Sequence, residues 1–328
     1  MLMGEIRTEK VSQELAYWLA LNQRSYYFSS RVIVDAIGDL TLKDLWHTDR
    51  SILAQKSFST RTLEEFDKLR AGSALQESER LLQQLVHSGI NLFAYTDPSY
   101  PQQLKDLPSS VIPPLLLFHK GTLKDFSKSV AVVGTRNPTF RGRTMARKTA
   151  RALAEEGYAI VSGLARGIDV EAHCGALEAK QGKTVAVLAW FDPIYPDEHS
   201  ELVKEIESRG ARISENYFKA FGSMTGAKFV ERNRITSGIS KCVVVIETGE
   251  DGGTIRQAEL AHQEKRPIFV LSPKENERAS RGFSKIVEKH GGTPFKDPDD
   301  LLDKINSNQL RPEKTLSRYS LDDQTKLS

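Results

Sequence analysis

The chain has 328 residues, of which 39% are hydrophobic and 27% are charged, and its formal net charge is +3. This composition is that of an ordinary globular protein, and the length fits one large domain or two modest ones. The two cysteines, Cys174 and Cys242, are too few for a disulfide framework and lack metal-ligand spacing. We interpret both as small buried thiols, and we expect no metal site.

The first ten residues, MLMGEIRTEK, lack the apolar segment of a signal peptide. No apolar run approaches the ~20 residues that a membrane span requires. We therefore expect a cytoplasmic protein without a membrane partner.

Residues 1–88 are polar, helix-prone and broken by short turns, which predicts a small helical N-terminal domain. Leu15, Trp18 and Leu19 share one helix face, and a helix at 78–87 stops at Gly89. This region shows no convincing catalytic cluster. Residues 89–128 contain two short apolar runs separated by proline turns, and we interpret them as a transition into the next domain.

From Val130 onward, apolar runs of strand length alternate with segments of helical spacing. The runs lie at 130–133, 158–161, 183–190, 212–215, 242–247 and 267–271. This alternation predicts an α/β fold, with a Rossmann-like, doubly wound, mostly parallel sheet over 89–305. Residues 306–328 are polar and aperiodic, and predict a disordered tail.

Two strand ends in this sheet carry both glycine and arginine. The first is Gly134-Thr-Arg136, where we expect the following helix to direct its N–H groups at a ligand. The second is Gly163-Leu-Ala-Arg166-Gly167, in which an arginine between glycines has little structural use. Asp169 is placed to cap the next helix, with a ligand role as the alternative. His173, one turn on, is as consistent with packing as with ligand binding. Seven Arg/Lys against three Asp/Glu over 130–170 favour an anionic ligand.

A third basic stretch contains Lys228, Phe229 and then Arg232-Asn233-Arg234. We place the two arginines at or near a helix N-terminus, where the helix dipole disfavours cations and a phosphate would remove that cost. Phe229 could stack on a base or simply pack in the core.

A fourth turn, Gly252-Gly253-Thr254, follows another strand and opens a helix, so its N–H groups can form an anion-binding nest. The sequence contains neither a dinucleotide-binding glycine motif nor a P-loop, which argues against a hydride-transfer cofactor. No cofactor is expected.

These stretches resemble the DNA-processing protein A (DprA/Smf) family. The segments that carry the resemblance are VAVVGTR, SGLARGID followed by AH, KFVERNRITSGIS, CVVVIET and GGTIRQAELA, in family order and spacing. The resemblance implies a Rossmann-like protein that is not an enzyme, binds single-stranded DNA, dimerises through that domain and loads a RecA-type recombinase in natural transformation and recombination. It assigns the DNA pocket to Gly134, Arg136, Gly163, Arg166, Gly167, Lys228, Phe229, Arg232, Asn233 and Arg234. The anion-binding turn adds Gly252, Gly253 and Thr254 to the predicted site.

The chain departs from the family pattern at four places. Asp251 precedes Gly252-Gly253 where the family has Ser-Gly-Ser, and an acidic residue there could weaken DNA binding. Trp190-Phe191-Asp192 replaces glycines, and 221–226 replaces a proline-rich loop. We also expect no C-terminal winged helix, because only a polar tail follows Ile305.

Two other functions fit parts of the pattern. A nucleotide-sensing module of a bacterial defence or signalling system could use the same pocket for a mononucleotide or cyclic nucleotide. A nucleoside-monophosphate phosphoribohydrolase of the LOG type ends in a similar Gly-Gly-x-Gly-Thr turn. That enzyme requires a carboxylate three residues after the threonine, where this chain has Gln257.

Overall fold

A computed structural model describes residues 13–38, 40–56, 58–218, 224–274 and 280–307 of the protein. Contacts divide the chain into two compact units. Unit 1 comprises 1–120, 189–193 and 213–220, and unit 2 comprises 121–188, 194–212 and 221–328. The predicted tail lies outside the described residues from 308 onward, and the proposed boundaries at 88 and 305 stay predictions.

Unit 1 is built mainly of short helices packed around aromatic side chains. Trp46 lies 5.4 Å from Phe66 between ring centroids, and Phe28 lies 6.0 Å from Phe66. Trp18 is fully buried in the same cluster, as its predicted helix face requires. The elements are α1 (13–22), α2 (Ser30–Ile37), α3 (Leu42–His47), α4 (Arg50–Leu53), α5 (Thr60–Ala71), α6 (Ala74–His87), α7 (Gln102–Lys105) and the antiparallel strands β1 (Asn91–Ala94) and β2 (Leu116–Gly121).

Unit 2 contains a parallel sheet with helices between its strands. Its strands are β3 (Ser129–Val133), β4 (Ala159–Ser162), β5 (Lys183–Val187), β7 (Val243–Val245), β8 (Ile268–Leu271) and β9 (Thr293–Phe295), with β6 at Ala211–Ser214. The helices are α8 (Phe140–Glu155), α9 (Ile168–Glu178), α10 (Ser200–Arg209), α11 (Met224–Gly238), α12 (Gly253–Gln263), α13 (Ser280–His290) and α14 (Pro298–Asn306). The predicted α/β class with a mostly parallel sheet is confirmed.

Strand order explains where a ligand can enter. In unit 2 the order is β5-β4-β3-β7-β8-β9, and every neighbouring pair is parallel. The chain runs outward from β3 to β5, and then returns to the other side of β3 with β7. The loops after β3 and β7 therefore diverge, which leaves a crevice at the carboxyl ends of these strands.

The cores above and below this sheet come from small and branched apolar residues. Val132 of β3 pairs in register with Val244 of β7, and both are fully buried. On α8 the buried face comprises Ala146, Thr149, Ala150 and Leu153. Cys242 is also buried, which raises the pKa of its thiol to about 12, whereas Cys174 is half-buried. No described helix combines the length and apolar character needed to cross a membrane.

The sequence prediction differs from the structure at β9. The stretch Thr293–Phe295 is too short for an apolar run to be visible, and only Phe295 is buried. The segment is a strand because it pairs in parallel with β8, although its own sequence shows no strand pattern.

Glu264, immediately after α12, is a buried acid whose charge matters for stability. It is 3% exposed, and burial raises the pKa of its carboxyl to about 8 despite the nearby Arg266 and Arg234. In the unfolded chain the carboxyl of a glutamate has a pKa of about 4.3. Between these pH values the folded state holds a proton that the unfolded state releases, so this residue lowers stability progressively as the pH rises.

We predict that Glu264→Gln stabilises the protein relative to the wild type, by an amount that grows between about pH 4.3 and pH 8. The difference in the free energy of unfolding between Glu264→Gln and the wild type should grow by at most about 1.4 kcal/mol per pH unit. Urea unfolding at several pH values measures it, with Glu259→Gln, an exposed acid on α12, as the control. A pH-independent difference between wild type and Glu264→Gln contradicts the prediction.

Candidate functional site

A cavity of about 440 Å³ opens in unit 2 at the carboxyl ends of β3, β4 and β7. Its walls are the loops that follow these strands, together with α11 and α12. This is the crevice that the strand order creates, and it is where parallel sheets bind their ligands. The predicted site residues that line it are Gly134, Arg136, Gly163, Phe229, Arg232, Asn233, Gly253 and Thr254.

The floor of the cavity contains a buried arginine. Arg232 is 7% exposed, and its Nη1 donates to the carbonyl oxygen of Val187 at 2.6 Å. Burial lowers the pKa of its guanidinium, and the nearby carboxylate of Asp169 opposes that shift. Arg232 is thus held as a fixed positive charge rather than presented on a mobile side chain.

Gly163 provides the space that Arg232 occupies. A Cβ atom at this position would lie 1.7 Å from Nη1 of Arg232 and 2.3 Å from its Cζ. The glycine is therefore required by a protein side chain. Gly134 and Gly167 are similarly required: a Cβ at Gly134 would meet Ile168, and one at Gly167, which has φ of +86°, would meet the carbonyl of Thr135.

Asp169 is a buried carboxylate on α9, and the prediction that it caps this helix is wrong. The cap position is Gly167, and Asp169 lies inside the first turn. Its Oδ2 accepts from the backbone N–H of Gly163 at 3.2 Å. Burial raises the pKa of the carboxyl, while Arg232 and the hydrogen bonds that it accepts act in the opposite direction. Asp169 supplies the negative charge that a buried Arg232 requires.

His173 is a packing residue. It is fully buried, and its Nδ1 lies 2.6 Å from Oγ1 of Thr184, which donates to the carbonyl of Ile160. Nδ1 is therefore the protonated nitrogen of a neutral ring. Burial lowers the pKa of His173 to about 3, so it stays neutral at physiological pH.

The rim of the cavity carries a cation beside an aromatic ring. The exposed Arg136 places its Cζ 5.4 Å from the centroid of Phe229, a cation–π distance. The exposed Arg256 of α12 contributes a second rim arginine. Both guanidinium groups lie where a ligand can reach them, in contrast to Arg232.

The fourth turn forms another part of the wall. Gly252 precedes α12 with φ of +114° and has no side chain with which to cap the helix. Gly253 and Thr254 line the cavity, so the positive end of α12 faces it. The acidic departure at Asp251 is balanced, because its carboxylate pairs with Nζ of Lys285 at 2.9 Å.

Two expectations about helix ends are wrong. The helix after Gly134 begins only at Phe140, and its N-terminal region is occupied by the carboxylate of Glu247, which accepts from the N–H and hydroxyl of Thr139. That helix end therefore faces a protein carboxylate. Arg232 lies in the middle of α11, which begins at Met224, so the dipole argument for a phosphate there does not hold.

The remaining predicted residues lie outside the cavity lining. Arg166, expected to lack a structural use, forms a two-pronged ion pair with Glu198, with Nε–Oε1 at 2.5 Å and Nη2–Oε2 at 2.6 Å. Lys228 pairs with Glu231 at 2.7 Å, and Nη1 of Arg234 donates to the backbone carbonyl of Glu231. Gly167 and Gly252 shape the adjoining loops.

Residues outside the predicted site complete the lining, chiefly Asp169, Thr248, Arg256 and Gln257. Gln257 is buried, and its Nε2 donates to the carbonyl of Asn233, so it joins α12 to α11. Asp169 could have been identified from its motif, since it is the acidic residue in SGLARGID and a buried arginine needs a counter-charge. Thr248 and Arg256 carry no comparable signal.

We predict that Gly163→Ala destabilises the protein by about 3 kcal/mol, because the new methyl group displaces Arg232 and leaves Asp169 as an unpaired buried charge. Chemical denaturation measures the loss. Gly253→Ala is the matched control, since nothing lies within 4 Å of a Cβ there. Equal stability of the two variants would show that Arg232 does not depend on the space at Gly163.

Comparisons with known proteins agree with this geometry. The family model described as DNA recombination-mediator protein A matches residues 91–306. Protein Smf of Synechocystis is 30% identical over 303 residues, covering 86% of this chain and 70% of that protein. DNA processing protein DprA of Bacillus subtilis is 30% identical over 249 residues, covering 73% of this chain and 82% of that protein.

Two solved structures share the fold. DNA processing protein A of Streptococcus pneumoniae aligns with a TM-score of 0.61 and 26% identity, covering 84% of this chain and 94% of that one. DNA processing protein A of Helicobacter pylori, described with its single-stranded DNA binding mode, aligns with a TM-score of 0.57 and 26% identity, covering 66% and 96%. The chain therefore belongs to the DNA recombination-mediator protein A (DprA/Smf) family and has a DprA-type role in DNA processing.

Proposed function

We propose that the cavity holds the phosphate backbone of single-stranded DNA. The observation that carries the proposal is the pairing of Arg136 with Phe229 at the rim. A guanidinium can contact a phosphate while the adjacent ring stacks on a base, and this combination binds single strands without reading their sequence.

The part of the cavity wall formed by the N-terminus of α12 is also suited to a phosphate ligand. The positive end of α12, at Gly253 and Thr254, faces the cavity together with Arg256. A helix N-terminus next to a cation is a favourable site for a phosphate group. The H. pylori relative, whose structure concerns single-stranded DNA binding, makes the same ligand the first choice here.

The buried residues Arg232 and Asp169 determine the shape of the cavity more than they attract the phosphate. The carboxyl group of Asp169 acts against the charge of Arg232, and the exposed Arg136 and Arg256 carry the positive charges that a ligand can reach at the rim. The affinity for DNA should therefore depend on the rim residues. Substitutions of the floor residues should instead lower the stability of the fold. Five of the thirteen predicted residues lie outside the cavity lining, and we propose that they lie near the bound DNA strand without contacting it inside the cavity. They are Arg166, Gly167, Lys228, Arg234 and Gly252.

Family membership supports two further steps. We infer that the bound strand is delivered to a RecA-type recombinase in recombination and DNA uptake, and that the protein acts as a homodimer through its Rossmann-like domain. Light scattering of the purified protein tests the dimer, and strand exchange by a RecA-type recombinase tests delivery.

The geometry favours binding over hydrolysis of nucleotides. The two carboxylates among the described lining residues are both engaged: Asp169 is buried beside Arg232, and Asp251 pairs with Lys285. General acid–base catalysis needs a carboxyl group within reach of the reacting bond, and Gln257 stands where the hydrolase pattern has one. The cavity volume also suits a mononucleotide, so nucleotide sensing is the second candidate.

We predict that Arg136→Gln weakens binding of a dT oligonucleotide by about tenfold or more, because a charge-assisted contact to phosphate is lost. It should also reduce the slope of log affinity against log salt by about 0.7. Fluorescence anisotropy at several salt concentrations measures both. Arg151→Gln, which removes an exposed arginine of α8 paired with Glu155, is the charge-matched control, and equal affinities of the two variants would contradict the proposal.

A thermal-shift comparison separates the two candidate functions. A ligand that binds only the folded state raises the unfolding temperature, and at equal concentration the tighter ligand raises it more. We predict a larger shift with a dT oligonucleotide than with any nucleoside monophosphate or cyclic nucleotide at equal concentration. The reverse order favours the nucleotide-sensing role.

A further inference from the structure

A row of side chains continues from the cavity rim across the surface of unit 2. Arg136 lies over Phe229, and the ring of Phe229 lies 5.9 Å from that of Tyr195, tilted by 56°. Tyr195 is 44% exposed, which is high for a tyrosine packed against another ring. A second ring at the edge of the site offers a base a further surface on which to stack.

Arg166 lies at the far end of this row. Its guanidinium is close enough to Tyr195 to interact with it electrostatically. The carboxylate of Glu198 accepts two hydrogen bonds from that guanidinium, of 2.5 and 2.6 Å. A carboxylate in this geometry occupies the two donor positions that a phosphate would use, because arginine forms the same forked contact with both anions.

The ion pair between Arg166 and Glu198 can be broken at little cost in stability. The side chains of Arg166 and Glu198 are 61% and 45% exposed, and exposed pairs contribute little to stability. The two loops are nevertheless fixed relative to each other, since Nδ1 of His199 lies 2.9 Å from the carbonyl of Leu164. Leu164 is itself fully buried with φ of +60°, so the loop that carries Arg166 has a defined shape. A ligand can therefore replace Glu198 without moving the backbone.

We propose a second nucleic-acid subsite outside the cavity, in which Tyr195 stacks on a base and Arg166 exchanges Glu198 for a backbone phosphate of the same single strand. Glu198 acts there as an internal competitor that weakens binding. The inference rests on the proposed function of the cavity. It assigns roles to Tyr195 and Glu198, and it gives Arg166 a place on the path of the strand.

Removal of the competitor tests the exchange. We predict that Glu198→Gln tightens binding of a dT oligonucleotide by up to about fivefold, since the ion pair no longer has to be broken. Glu201→Gln removes an equal charge three residues further on, at an exposed acid paired with Lys204, and should leave the affinity near that of the wild type. In an Arg166→Gln background, Glu198→Gln should have no effect.

Truncation of the ring tests the stacking. We predict that Tyr195→Leu weakens binding by about fivefold or more, whereas Tyr195→Phe, which keeps the ring, binds like the wild type. The loss should appear with oligonucleotides of about 16 nucleotides and be smaller with those of about two, which are too short to span the cavity and the second subsite.

The results separate this inference from the function on which it rests. If Arg136→Gln weakens binding but Glu198→Gln matches Glu201→Gln and Tyr195→Leu matches the wild type, the cavity binds DNA and the second subsite is overturned. If the wild type does not bind the oligonucleotide, the proposed function itself fails.

Discussion

A buried arginine imposes the central constraint on this structure. Arg232 lies almost out of solvent in the middle of α11, and a charge in that position is stable only when it is paired and hydrogen-bonded. Asp169 on α9 supplies the opposite charge, Val187 at the end of β5 supplies an acceptor, and Gly163 after β4 supplies the space. The ends of β4 and β5 and the helices α9 and α11 thus meet around this charge. The Nε of Arg232 has no hydrogen-bond partner among the described residues.

The same constraint separates the residues that shape the site from those that bind. Arg232 and Asp169 are buried side chains that line the cavity and interact with each other, so they shape its floor. Arg136 and Arg256 stand at the rim with exposed guanidinium groups. A preformed floor with exposed cations around it suits a flexible, repeating ligand such as a phosphate backbone, because different nucleotides can occupy the same contacts.

Much of the fold was predictable from periodicity, and the grouping of site residues was predictable only in part. The apolar runs identified most of the strands of unit 2, and glycines at strand ends located the cavity. The sequence could not show that Gly163 serves Arg232 rather than a ligand, nor that Glu198 pairs with Arg166, because both contacts join residues far apart in the chain. The start of α11 at Met224 was also missed, since Met224–Gly226 lacks the apolar periodicity that marked the rest of the helix.

A crystal structure of the protein with a short dT oligonucleotide tests the central claim most directly. We predict a backbone phosphate between the guanidinium of Arg136 and the N–H groups of Gly253 and Thr254, with a base against the ring of Phe229. Arg232 should keep its hydrogen bond to the carbonyl oxygen of Val187. An oligonucleotide bound on another surface, with the cavity free of phosphate, would contradict the proposed function.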